Sequence, residues 1–143
     1  MVSPTKINGF VENLAEKVHN LGSDQLVIAL SNIDPTTDGV QANTAAAVLA
    51  TVQQVAYTNL STRNLTTSSS AQTSGTYDLI LNDLVLTSTG GTTGPFRYVY
   101  VYNDTPSSPL DPLINVYDNG TSVTLLDGET FTVDFTGDFI NLS

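Results

Sequence analysis

The chain has 143 residues, enough for one domain that buries about two thirds of its unfolded surface without a metal or a disulfide. It has no cysteine, which excludes thiolate catalysis and disulfide stapling, and a single histidine, His19, which argues against a zinc site. Its formal charge of −10 comes from four basic and fourteen acidic residues, so it lacks the Lys and Arg that neutralise phosphates; neither nucleic acid nor an anionic membrane is an expected partner.

The opening "MVSPTKINGF" has no basic start and no apolar run before a small-residue cleavage site, so no secretory leader is expected. No apolar run approaches the ~20 residues that span a bilayer. Residues 7–19, "INGFVENLAEKVH", set Ile7, Phe10, Val11, Leu14 and Val18 at helical spacing. Asn8 stands where an N-cap would, Glu12 is early, and Lys17 and His19 are late, as the helix dipole prefers. The spacing predicts a short amphipathic helix or ordered arm over residues 1–22, ended by "NLGSD". The β-sandwich domain is then 23–143.

"QLVIALS", 25–31, reads as a buried strand. "NIDPTTDGVQAN" carries Pro, Gly and Asp loop signals. "TAAAVLATVQQVA", 44–56, repeats Val48, Leu49, Val52, Val55 and Ala56 along one face and predicts a second short helix. From residue 60 the period becomes two. "LSTRNLTTSSSAQTSG" predicts an exposed strand and a turn, and "TYDLILNDLVLTST" a long strand broken at Asn82-Asp83. "GGTTGP" turns the chain into an aromatic strand, 96–102, and "NDTPSSPLDP" is a proline-punctuated loop. In the last third, Asn119-Gly120 and Asp127-Gly128 tolerate positive φ between alternating runs, which predicts three consecutive antiparallel strands near 113–118, 121–126 and 129–135. "DFINL" forms a last short strand. Together these predict a mainly β protein: a single antiparallel β-sandwich or jelly-roll-like domain with a short N-terminal helix or arm and one further short helix.

The row Phe96, Tyr98, Tyr100, Tyr102 raises three readings. Exposed, the rings would make a partner-contacting surface or a sugar platform; buried, they would pack a core. Val99 and Val101 make the opposite face apolar too, which favours a central strand buried on both sides. Arg97 is expected near the strand end, paired with an acid. His19 is read as a solvated or capping histidine, because no nucleophile elbow accompanies it. Asp34 with Asp38, and Asp104 with Asp111, lack the spacing of a calcium loop and read as turn acids. "GGTTG" lacks the lysine and helix of a phosphate loop. The residues point to no catalytic, cofactor-binding or metal-binding set.

Four segments, in order, carry a resemblance: "KINGFVENLAEKVHNLGSDQLVIALSN", "GPFRYVYVYNDT", "DPLINVYDNGTSVTL" and "LDGETFTVDF". Their combination resembles a family of small virion structural proteins of tailed bacteriophages, some of which look like head decoration (cement) proteins. The resemblance implies a non-enzymatic protein on the capsid exterior, made in the infected host's cytoplasm. Its partner would be the major capsid protein, and it would be a homo-oligomer, with a trimer favoured. The apolar stripe Ile7, Phe10, Val11 and Leu14 is the candidate partner-binding element. A tail, connector or fibre component is the alternative within virions. A carbohydrate-binding module is the alternative outside them.

Overall fold

In the computed structural model, which describes residues 3–41, 47–52 and 54–143, the N-terminal segment forms a two-residue strand, Thr5–Lys6 (β1), and one helix, Gly9–Ala15 (α1). The helix stops before His19. Lys17 takes a left-handed φ of 67°, and the Val18 N–H returns to the Asn13 carbonyl at 2.8 Å, which closes the last turn. Asn8 occupies the N-cap position, but its side chain makes no capping bond. The branched run forms Leu26–Ser31 (β2), buried at every residue.

The helix expected over 44–56 does not form in the described part of that stretch, which holds a single 3-10 turn, Leu49–Thr51; residues 42–46 and 53 lie outside the described residues. The cause is tertiary. Val48 bridges to Pro112, the Leu49 N–H donates to the Asp111 carbonyl, and the Ala47 carbonyl accepts from Leu113. These backbone groups are spent on long-range pairing that an α-helix would forbid.

Strands fill the rest: Thr67–Thr73 (β3), Thr76–Leu81 (β4), Leu84–Thr87 (β5), Thr93–Asn103 (β6), Leu113–Leu125 (β7), Thr130–Val133 (β8) and Ile140–Leu142 (β9). They form three antiparallel sheets, ordered β1-β7-β6-β2, β3-β4-β9 and β5-β8. The fold is mainly β and sandwich-like, as expected. The break at Asn82-Asp83 separates β4 from β5, and Ser74-Gly75 turns β3 into β4.

Two expected hairpins are corrected. Gly120 does take a positive φ of 81°, yet Asn119-Gly120 is not a hairpin turn. It sits in a bulge within β7, which pairs with β6 on both sides of it: Tyr98 faces Asp118 and Phe96 faces Val123. Asp118 takes the Gly120 N–H at 2.7 Å, and Asn119 donates to the Thr121 carbonyl at 3.0 Å, so side chains hold the extra residues locally. Asp127-Gly128 is a true turn, but β8 leaves it to pair with β5 in another sheet. Gly94 marks the entry to β6. A Cβ there would lie 2.7 Å from the Val123 carbonyl oxygen, so only glycine lets the strands approach.

The central four-stranded sheet is buried on both faces, by two separate clusters. One face carries Leu26, Ile28, Leu30, Val99 and Val101 against side chains of the two smaller sheets, including Leu79, Leu86 and Val133, and against Phe135, just beyond β8. The other carries Val27, Ala29, Tyr98, Tyr100 and Tyr102, covered by Val40, Ala47 and Val52 of the loop that follows β2. The aromatic row is core, as the apolar opposite face suggested. It is not one row, however. The β7 bulge shifts the register between Phe96 and Tyr98, and Phe96 joins the opposite cluster from the tyrosines.

Candidate interaction surface

The stripe Ile7, Phe10, Val11 and Leu14 is divided by the fold. Ile7 is fully buried in the tyrosine-side cluster and its N–H donates to the Ile114 carbonyl at 3.0 Å. Phe10 belongs to the opposite cluster, its ring 5.2 Å from that of His19. Leu14 is half-buried against that same cluster, and Val11 is 52% exposed. Two of the four side chains therefore hold the domain together, and Val11 with the outer part of Leu14 remains on the surface.

His19 is not solvated, contrary to expectation. It is buried, and Asn103 explains why: its Nδ2 donates to His19 Nδ1 at 3.0 Å and to Asp24 at 2.6 Å. Burial lowers the imidazole pKa to about 4, against a smaller opposing pull from Asp24. The partner lies 84 positions away, so no local pattern announced it.

Two cavities flank β9 beside α1. The larger, of about 660 Å³, is lined by Leu14, Lys17, His19, Tyr77 and Leu142 among others. The smaller, of about 190 Å³, is lined by Lys6, Phe10, Asn115, Ile140 and Leu142 among others.

The remaining candidates take structural places. Arg97 forms a two-pronged pair with Asp118, Nε and Nη2 each at 2.7 Å, which matches the expected acidic partner. That pairing holds the Asp118 carboxyl below its ordinary range. Asp34 accepts from Thr36, Thr37 and the Tyr98 hydroxyl, and Asp38 accepts from the Asp34 N–H, so both acids brace a turn. Burial and the neighbouring Asp104 raise the Asp111 carboxyl. Among the described residues, no group of three or more His, Asp or Glu is placed to hold a metal ion, and no helix is long and apolar enough to cross a membrane. Comparison of the chain with protein-family models, with curated proteins and with solved structures finds no match.

Proposed function

We propose that this chain is a non-enzymatic structural protein of a tailed-phage virion, a decoration protein that binds the assembled major capsid shell and stabilises it as a trimer. The observation that carries the reading is the combination and order of the four family-like segments. They supply α1, β2, β6, β7 and β8, the frame around which both hydrophobic clusters are built. The physical character suits the role. An acidic, Ser/Thr-rich exterior resists aggregation, and a contact of about 800 Å² per partner needs only some 20–30 residues a side. The glycan-platform alternative loses its surface, because Tyr98, Tyr100 and Tyr102 are all buried.

The docking element in this reading is the exposed side of α1, centred on Val11. Val11→Asp leaves the buried Ile7 and Phe10 untouched, so the protein should fold with a stability change within about 0.5 kcal/mol. Its binding to purified mature heads should fall, measured by co-sedimentation and by antibody labelling of virions. A folded variant that still decorates heads at full occupancy excludes α1 as the docking element. Labelling of tails alone by the wild-type protein favours the tail-component reading instead.

A further inference from the structure

Two described side-chain atoms are buried with no hydrogen-bond partner: His19 Nε2 and Asn115 Oδ1. His19 lines the larger of the cavities beside α1, Asn115 lines the smaller, and Leu142 lines both. Their chemistry is complementary. The Asn103 amide donates to His19 Nδ1, so in the neutral ring the proton sits on Nε2, a donor without an acceptor. Asn115 Oδ1 is an acceptor without a donor. Both atoms are themselves covered from solvent.

Charge converges on the same place. The chain has only two lysines, and Lys6 lines the smaller cavity while Lys17 lines the larger. Among the described residues, the other two cations are engaged: Arg97 pairs with Asp118, and Arg63 donates to the Ile28 carbonyl while lying 3.9 Å over the Tyr57 ring. Both lysines are exposed, and among the described residues neither has an ion pair. A protein of formal charge −10 thus keeps its unneutralised positive charge along one seam. Phe10, Leu14 and Leu142 give that seam an apolar lining. β9 pairs only with β4, which leaves its outer edge open among the described residues.

We propose that the seam between α1 and β9 binds an extended acidic peptide segment of a partner protein, with an apolar side chain over Leu142 and carboxylates toward Lys6 and Lys17. The open edge of β9 favours an extended conformation of that segment. The seam needs no virion role to work this way, so it stands or falls separately from capsid binding.

The test titrates the ¹⁵N-labelled full chain with an N-acetylated, C-amidated pentapeptide, Asp-Val-Leu-Val-Asp, and with its charge-reversed counterpart, Lys-Val-Leu-Val-Lys. The acidic peptide should shift amide resonances near residues 6, 17–22, 115 and 140–142. The basic peptide should bind roughly tenfold more weakly, the size expected from two exposed charge pairs. Lys6→Glu with Lys17→Glu should reverse the preference, and since both side chains are exposed its melting curve should match the parent's. Shifts elsewhere, equal binding of the two peptides, or an unreversed preference in the folded double variant would overturn the proposal. So would concentration-dependent shifts in the peptide-free protein at these positions, which would mean that a second copy fills the seam.

Discussion

One face of the central sheet meets strands, and the other meets a loop. Against the smaller sheets the contact is hydrocarbon: Ile28, Leu30, Val99 and Val101 are buried with no polar atom to place. Strands of a neighbouring sheet satisfy their own backbone groups within their ladders. Among the described residues, the loop after β2 has only isolated bridges, and the tyrosines bond to it. The Tyr100 hydroxyl donates to the Ile33 carbonyl at 2.8 Å, and the Tyr98 hydroxyl to Asp34 at 2.8 Å. The alternation of Tyr with Val along β6 therefore reflects two kinds of cover. A ring that ends in a donor suits a loop, and a plain branched side chain suits a sheet.

The largest expected effect tests whether the loop-covered face is a true core. Tyr100→Ala removes a fully buried ring and should destabilise the protein by about 3–5 kcal/mol in denaturant unfolding. A cost below about 1 kcal/mol would show that the loop collapses freely onto the sheet and carries little of the stability.

Next comes the rim of the strand-covered face, where His19 packs against Phe10. The folded imidazole titrates near 4 and the unfolded one near 6.5, so between those values the unfolded chain binds more protons. Stability should be level above about pH 6.5 and fall by about 3 kcal/mol as the pH drops toward 4. Urea midpoints at pH 7, 5.5 and 4 read this directly. Replacing His19 with Gln should remove the fall in stability across that window, leaving only the opposite, smaller trend of the raised Asp111 carboxyl, whereas the lowered carboxyls of Asp34 and Asp118 act below it. A level wild-type curve would mean that this rim is wet.

Tyr100→Phe keeps the ring and removes only the donor. It should cost about 1–3 kcal/mol, because the Ile33 carbonyl loses its partner under cover. A neutral result would erase the distinction between the two faces, since the hydroxyl would then be no more than tolerated.

The smallest effect is at the surface. The Arg97 and Asp118 side chains are 42% and 40% exposed, so Arg97→Ala should lower the urea midpoint only slightly, and less at high salt. A large, salt-insensitive loss would mean that the pair braces the β7 bulge, and with it the side of the sheet that Phe96 faces.

Several features fixed by local physics are legible in the sequence. Composition and charge, the buried run at 26–31, the wet strand 67–73, the break at Asn82-Asp83 and the positive φ at Gly120 and Gly128 all follow from side-chain period or backbone sterics within a few residues. The acidic partner of Arg97 was legible from the lone cation in an otherwise uncharged strand of an acidic chain, although Arg97 lies within β6 and not near its end. Only the tertiary structure decided what lay across the chain. A glycine with positive φ serves a hairpin or a bulge equally well, and the pairing of β7 with the far half of β6 made Asn119-Gly120 a bulge and turned Phe96 to the other face. In the described residues 47–52, helical spacing yielded to backbone bonds with residues 111–113. The candidate stripe at Ile7, Phe10, Val11 and Leu14 was visible as an apolar face, but its period could not say that Ile7 and Phe10 would enter different clusters. His19 became a buried donor through Asn103, far away in the chain. Periodicity states which residues seek cover; the partner that provides it is set by contacts distant in sequence.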